Sequence, residues 1–294
     1  MVTAETEALH AQAQGIDAIP REDAALVLAN GQIAAATAVR AVAGDIASAA
    51  TALAETLRRG GTLHYVAAGS SGLMAAADAQ ELGGTFSIPA AQLRIHMAGG
   101  LPTGVEMPGD TEDDTQSLAD ALSGLGPDDA IIAVSASGTT PYTLEAVRIA
   151  KSAGARIIAI ANNAGAPLLL ASDHPILLAT PPEVLSGSTR MGAGTAQKIA
   201  LNMLSTLMAM ELGHVHDGMM VNLRADNIKL RARAMGMVAR IAGVTDDAAR
   251  AALETTDGDV KLAILVAAGQ TPGAARTLLR TTEGNLRAAL AQIN

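Results

Sequence analysis

The sequence has no cysteine and no tryptophan, and only two tyrosines and one phenylalanine among 294 residues. Without cysteine there is no disulfide framework, no thiolate nucleophile and no cysteine-ligated metal. The near absence of aromatic platforms and a formal charge of −9 argue against a nucleic-acid groove, whose partner's phosphates demand a basic face. No apolar run reads as membrane-spanning in length; Ala130–Ala136 and Arg156–Ala161 are strand-sized. The N-terminus lacks the basic-then-apolar pattern of a signal peptide, so a cytoplasmic protein is expected. The six histidines give no metal spacing. The nearest, His214-x-His216, lacks a third ligand and reads as a surface pair or one that complements a helix C-terminus.

What remains is a chain rich in Ala, Leu, Ile, Val and Met, nearly half apolar. A core of small residues favours close packing of helix on helix and helix on sheet. Met203, Met208, Met210, Met219 and Met220 read as filler of that core. Residues 1–20 are aperiodic and read as an arm. From Pro20 to Arg59 apolar residues return every three or four positions, and Arg59-Gly60-Gly61 stops the pattern. Short β-branched runs follow at Leu63–Ala67, Leu93–Met97, Ala130–Val134, Arg156–Ile160 and Pro175–Leu178. Helical stretches at Leu73–Leu82, Asp113–Leu122 and Tyr142–Ala153 separate most of them. This alternation predicts an α/β fold, a five-stranded parallel sheet flanked by helices on both faces in the doubly wound manner. Ala193–Leu212 and Met219–Ile241 read as two long helices. Beyond Gly243, Thr255-Thr256-Asp257-Gly258-Asp259-Val260 is echoed by Thr281-Thr282-Glu283-Gly284-Asn285-Leu286, each leading into an Ala/Leu helix. The expected division is an arm with helices over 1–59, a sheet domain over 60–242 and a small helical subdomain over 243–294.

Two loops carry the chemistry. Ala68-Gly69-Ser70-Ser71-Gly72 follows the first strand, and Ser135-Ala136-Ser137-Gly138-Thr139-Thr140 follows the third. Parallel sheets bind ligands beyond the carboxyl ends of their strands. Each loop also opens a helix, so free N–H groups and the positive end of the helix dipole face it. Glycine permits close approach of an anion, and hydroxyls add donors without bulk. One such loop is explained by an ordinary turn or N-cap; two on one sheet point to phosphate, held by Ser70, Ser71, Gly72, Ser135, Ser137, Gly138, Thr139 and Thr140. Neither loop is a Walker P-loop or a complete dinucleotide fingerprint, so a monophosphate is expected rather than ATP or NAD.

A third polar run, Glu183-Val184-Leu185-Ser186-Gly187-Ser188-Thr189-Arg190, precedes the long helix. Its hydroxyls and Arg190 would complete a ligand pocket, although a capped helix start with a surface arginine fits the spacing equally. Glu81 ends the helix that begins at the first loop and reads as an exposed helix-end residue. Asp110-Thr111-Glu112-Asp113-Asp114 reads as an N-cap with acids in the first turn, with metal binding the weaker alternative. Spacing alone promotes neither glutamate.

From about Gly60 to Arg231 the chain resembles the N-acetylmuramic acid 6-phosphate etherases, built on the sugar isomerase (SIS) fold. The resemblance rests on Ala136-Ser137-Gly138-Thr139-Thr140-Pro141-Tyr142, on Glu183–Arg190 continued through Ala193-Gly194-Thr195-Ala196-Gln197-Lys198, and on Leu201-Asn202-Met203-Leu204-Ser205-Thr206. It implies a substrate contacted by Glu183, Ser186, Ser188, Thr189, Arg190 and Lys198 as well as the two loops. It also implies that Glu81, in Asp78-Ala79-Gln80-Glu81, protonates the lactyl ether oxygen, and that Glu112, in Thr111-Glu112-Asp113-Asp114, removes the C2 proton. No metal or redox cofactor is implied. The partners implied are a phosphorylated amino sugar and a second copy of the chain, a homodimer with sites near the interface and Ala-rich helices in it. An acid that stays protonated at neutral pH should be desolvated or crowded by negative charge. The sequence departs from the family where Leu73 and Thr139 replace arginines, Gly192 replaces a lysine and Leu82-Gly83-Gly84 replaces Cys-Pro-Pro. A sensor of phosphosugars without catalysis, or a lyase acting on a different 6-phosphosugar, is the second reading; retention of Glu81 and Glu112 favours a lyase.

Overall fold

All five short apolar runs form strands in the computed structural model, which describes residues 5–107, 111–223, 225 and 227–293. Helices α1 (Arg21–Ala38) and α2 (Ala43–Arg58) lead into β1 (Leu63–Ala67), α3 (Gly69–Phe86), β2 (Leu93–Met97), the short α4 (Leu118–Ala121) and β3 (Ala130–Ser135). They are followed by α5 (Pro141–Ala153), β4 (Arg156–Ala161), α6 (Pro167–Leu170), β5 (His174–Leu177) and α7 (Gly192–Glu211). A two-strand ribbon, β6 (Val215–His216) and β7 (Met219–Met220), precedes α8 (Ile228–Ala242), α9 (Asp246–Thr255), α10 (Val260–Ala267), α11 (Pro272–Thr281) and α12 (Leu286–Leu290). The large sheet runs β2-β1-β3-β4-β5 and every pairing in it is parallel.

β1 and β3 are buried along their whole length, as expected for strands covered on both faces. Alternate side chains of β1 serve the two faces. Val66 packs with Tyr142 and Ala146 of α5, while the Tyr65 hydroxyl donates to Asp78 of α3. Ile131, Ala133, Ile157 and Ala159 bury against Val147, Ala150 and Leu168. Gly72 lets α3 close on the sheet, since a Cβ there would stand 2.9 Å from the Met97 side chain.

The described residues form two compact units, one within 1–79 and 91–205, the other within 80–90 and 206–294. The first holds the sheet. In the second, Met237 and Val238 of α8 share a core with Ala249, Val260, Ile264 and Leu286, so it begins before residue 243. The repeated sequence is a repeated structure there: Thr256 and Thr282 each bond back to a carbonyl four residues earlier, Asp257 and Glu283 both sit at φ 52°, and Asp259 and Asn285 cap α10 and α12.

Four local expectations change. Met219–Ile241 is not one helix: the Asp217-Gly218 turn, with both φ positive, folds β6 on β7, and α8 starts only at the Asn227 cap. Thr111 does not cap the predicted helix, because α4 starts only at Leu118 behind Ser117 with no side-chain cap, and Asp114 instead accepts from the Gln116 N–H; Asp110 lies outside the described residues. His216 is buried in the ribbon, not on the surface. The helical run Arg21–Arg58 holds an 18-residue stretch that is apolar enough to cross a membrane and little buried, although α2 itself buries Ile46, Ala50, Leu53 and Leu57. Its alanines carry the apolar character past Gln32, Thr37 and Arg40, which interrupt any simple run of apolar letters.

His64 on β1 and His96 on β2 stack with centroids 5.2 Å apart and 5° between planes, and His64 Nδ1 lies 3.0 Å from His96 Nε2. Burial, then the charges of His64 and Arg94, lower the His96 imidazole to about 4. Burial lowers His64 too, against the opposing charge of Asp129. A histidine whose folded pKa is depressed contributes stability that is present above its unfolded value and lost as pH falls toward the folded one. Urea unfolding should therefore show stability declining from pH 6.5 toward about 4, with a shallower decline in His96→Gln. An unchanged slope in that variant would refute the assignment.

Candidate active site

The strand order reverses between β1 and β3: β2 lies on one side of this pair and β4 and β5 on the other. In such sheets the crevice at the reversal, beyond the carboxyl ends of the strands, is the ligand site. The first loop follows β1 and the second follows β3, so the two hydroxyl-rich segments chosen from the sequence flank this crevice.

The first loop is the opening turn of α3 itself. Gly69 starts the helix at φ +55°, and the Gly72 N–H closes on the Ala68 carbonyl at 3.0 Å. Ser71 is buried and Ser70 half-buried. The second loop is held by its own hydroxyls. The buried Ser135 Oγ accepts from the Gly138 N–H at 3.0 Å and shares hydrogen bonds with Thr140 Oγ1 at 2.9 Å and Ser137 Oγ at 3.3 Å. Ser137 Oγ in turn accepts from the Thr139 N–H and the Thr139 hydroxyl. Gly138 sits at φ +68°, where a Cβ would stand 2.5 Å from Ala166 Cβ, so glycine is required. Pro141 opens α5 and no side chain caps that helix, leaving the positive end of its dipole for a ligand.

Glu112 joins the two loops. Its Oε1 lies 2.7 Å from where a Cβ on Gly69 would stand, so the carboxylate lies against the N-terminus of α3. Its backbone carbonyl accepts the Tyr142 N–H of α5 at 3.0 Å. The segment therefore bridges the starts of α3 and α5, and Glu112 is an exposed carboxylate at the crevice. Two contacts distant in sequence do this, and local spacing could not reveal them.

The third run is a set of turns leading to α7. Glu183, 6% exposed, accepts from the Gly192 and Ala193 N–H groups at 2.8 Å each. Both its oxygens are thus engaged with a helix N-terminus, the capping alternative that the spacing had left open. Gly192 follows from this: a Cβ there would stand 3.0 Å from Glu183 Oε2 and 3.3 Å from Ala35 Cβ. Ser188 and Thr189 are half-buried, and Ser186, Arg190 and Lys198 are exposed. Glu81 is exposed on α3 and belongs to the second unit; α3 continues past it to Phe86, so it does not end the helix. Leu73 is exposed on the first turn of α3.

Sequence reading missed the buried polar groups behind these segments. Asp78, 5% exposed, accepts from the Tyr65 hydroxyl at 3.1 Å, Asn202 Nδ2 at 2.8 Å and the Ser205 hydroxyl at 2.9 Å. This cluster ties α3 to β1 and α7. The Asn202 and Ser205 spacing, three residues along one helix, was the available signal. Asn162 and Asn163, directly after β4, are also buried. Among the described residues no group of three or more His, Asp or Glu could hold a metal ion. A cleft of about 540 Å³ lies in the second unit, lined in part by Arg231, Met235, Arg250 and Leu253, and contains none of the residues above.

Comparison with known proteins assigns the class first. The SIS domain model matches residues 106–210, and a solved structure of an Escherichia coli CFT073 protein in complex with a ligand shares the fold. Its TM-score is 0.51 at 15% identity, covering 68% of this chain and 97% of that one. A Bacteroides fragilis NCTC 9343 protein named for phosphosugar isomerisation aligns with a TM-score of 0.50 at 18% identity, covering 68% and 95%. The sheet is thus that of SIS proteins. Sequence relatives narrow this further. The N-acetylmuramic acid 6-phosphate etherase of Deinococcus radiodurans is 44% identical over 264 residues, 89% of this chain and 86% of that protein. That of Streptomyces avermitilis is 41% identical, covering 90% and 85%. The chain belongs to the N-acetylmuramic acid 6-phosphate etherase family, whose members are carbon–oxygen lyases.

The Asp78 cluster gives a test. Burial raises the Asp78 carboxyl above its ordinary value, against its three hydrogen bonds and the charge of Lys198. A raised folded pKa means stability that is present below the unfolded value and lost as pH rises through the folded one. Asp78→Asn keeps an acceptor without the charge, and should gain on the native protein as pH rises above 3.8. Asp78→Ala strands three donors and should cost about 2–3 kcal/mol in denaturant unfolding. Equal losses in the two variants would contradict this account.

Proposed function

We infer that the chain cleaves the D-lactyl ether of N-acetylmuramic acid 6-phosphate by β-elimination and water addition, giving N-acetylglucosamine 6-phosphate and D-lactate. The observation that carries the reading is Glu112, whose carboxylate lies against the start of α3 and whose backbone carbonyl binds the start of α5 at the sheet's reversal point. A phosphosugar sensor has no need of a base there.

The phosphate is anchored by Ser70, Ser71 and Gly72 on one side and by Ser135, Ser137, Gly138, Thr139 and Thr140 on the other. Neutral donors and two helix dipoles supply the attraction. Ser186, Ser188, Thr189, Arg190 and Lys198 contact the rest of the sugar, while Glu183 acts through α7. Opening the ring exposes an aldehyde, which acidifies C2–H and accepts the electron pair. Glu112 takes that proton. The C3–O bond then breaks, the lactyl oxygen receives a proton from Glu81, and a C2–C3 double bond remains conjugated to the aldehyde. Water adds across it, hydroxide to C3 and a proton to C2. No redox step is needed, and the reading requires no metal or cofactor.

An acid in this role needs a site poor in water, whereas Glu81 is exposed on the single chain. A second subunit would provide cover, and we read the protein as a cytoplasmic homodimer with its sites near the interface. Support comes from α1, which buries only Ala24 and Ala35 while Leu26 and Ile33 are 59% and 64% exposed. An apolar helix face of this kind marks an interaction surface, and a second copy is the simplest cover.

Incubation with N-acetylmuramic acid 6-phosphate should release D-lactate. Glu112→Gln and Glu81→Gln should each lower kcat by about 10²–10⁴-fold. Release no greater than that of the double variant would sink the lyase reading. Mass in solution should be that of two chains; a monomer at assay concentration would remove the homodimer.

A further inference from the structure

The second loop keeps its shape because its carbonyls are tied down behind it. Three successive carbonyls are taken by one segment, the stretch after β4. The Asn162 N–H donates to Ala136 O at 3.0 Å, Asn163 Nδ2 to Ser137 O at 3.2 Å, and the Leu168 N–H to Gly138 O at 3.1 Å. A trans peptide carries its N–H opposite its carbonyl, so the N–H groups of Ser137, Gly138 and Thr139 turn the other way. Those of Gly138 and Thr139 meet the Ser135 and Ser137 hydroxyls there. Two of the three ties are backbone bonds. The middle one depends on the Asn163 side chain.

That carboxamide is fully used. Its Oδ1 accepts the Thr6 N–H at 3.3 Å, and its Nδ2 donates to Thr6 Oγ1 at 3.0 Å as well as to Ser137 O. Thr6 and Asn163 are both buried, although they stand 157 positions apart. We propose that Asn163 is a positioning residue of the phosphate loop and that the N-terminal arm, through Thr6, holds it in place, so that the arm is part of the phosphosugar site. An aspartate fits the same space but has no protons to donate, and would set an oxygen against the Ser137 carbonyl. That peptide would then be free to turn its N–H off the Ser135 hydroxyl, undoing the loop shape on which phosphate binding rests.

This rests on the loop binding phosphate, as proposed above, and the experiment separates the two ideas. Asn163→Asp should raise KM for N-acetylmuramic acid 6-phosphate about tenfold with kcat within about twofold. Thr6→Val, which keeps the N–H but loses the hydroxyl, should raise it about two- to threefold. Inorganic phosphate, measured as a competitive inhibitor or by calorimetry, should weaken in the same order. A general structural lesion would lower the melting temperature without this split between KM and kcat. A folded Asn163→Asp protein with native KM and phosphate affinity overturns the proposal. Should that variant not fold, an unchanged KM in Thr6→Val overturns it. If the native protein releases no lactate, the etherase reading fails while phosphate affinity in the same variants still decides the role of Asn163.

Discussion

Everything at the site depends on the pairing of β1 with β3. β1 connects through α3 to β2 on one side, and β3 connects through α5 to β4 on the other. Right-handed crossovers then send α3 and α5 to opposite faces, as the alternation of Tyr65 and Val66 along β1 records. The two helices begin at the same edge of the sheet, from neighbouring strands. Their N-termini bracket one crevice, and neither could do so if the sheet grew in one direction only. Glu112 is laid across that gap by a carbonyl bond to α5 and a contact with Gly69 of α3.

Around the crevice, small residues and neutral donors stand where bulk or charge would be the commoner solution. The positions where the family resemblance leads one to expect cations hold Leu73, Thr139 and Gly192. The structure gives two of these a local reason. Thr139 contributes its hydroxyl to the Ser137 network, and Gly192 makes room for the Glu183 carboxylate at the start of α7. No contact explains Leu73. Buried carboxylates at Asp78 and Glu183 hold the helices by accepting several donors each, the condition under which a buried polar group is tolerated.

The second unit uses the same economy of side chains. Its two sequence copies place a threonine, a positive-φ acidic residue, a positive-φ glycine and a capping Asp or Asn in the same order. Lys261, in the first copy, crosses to the Gly284 carbonyl in the second, and burial lowers its amine to about 8. A cation at a helix-start carbonyl locks the copies together more specifically than apolar contact alone.

Periodicity and composition by themselves determined the five strands, most helices, the parallel sheet and both hydroxyl loops, because those are local consequences of side-chain pattern and turn chemistry. Resemblance supplied Glu112, Glu81 and the reaction, which spacing could not, since an acid in a turn looks the same whether it caps a helix or faces a ligand. Only the tertiary structure decided that Glu112 spans two helix starts, that Glu183 caps α7, that Asp78 gathers Tyr65, Asn202 and Ser205, and that Thr6 meets Asn163. Each of these joins residues far apart in the chain. Such contacts are set by strand order and packing, which no local run of residues encodes.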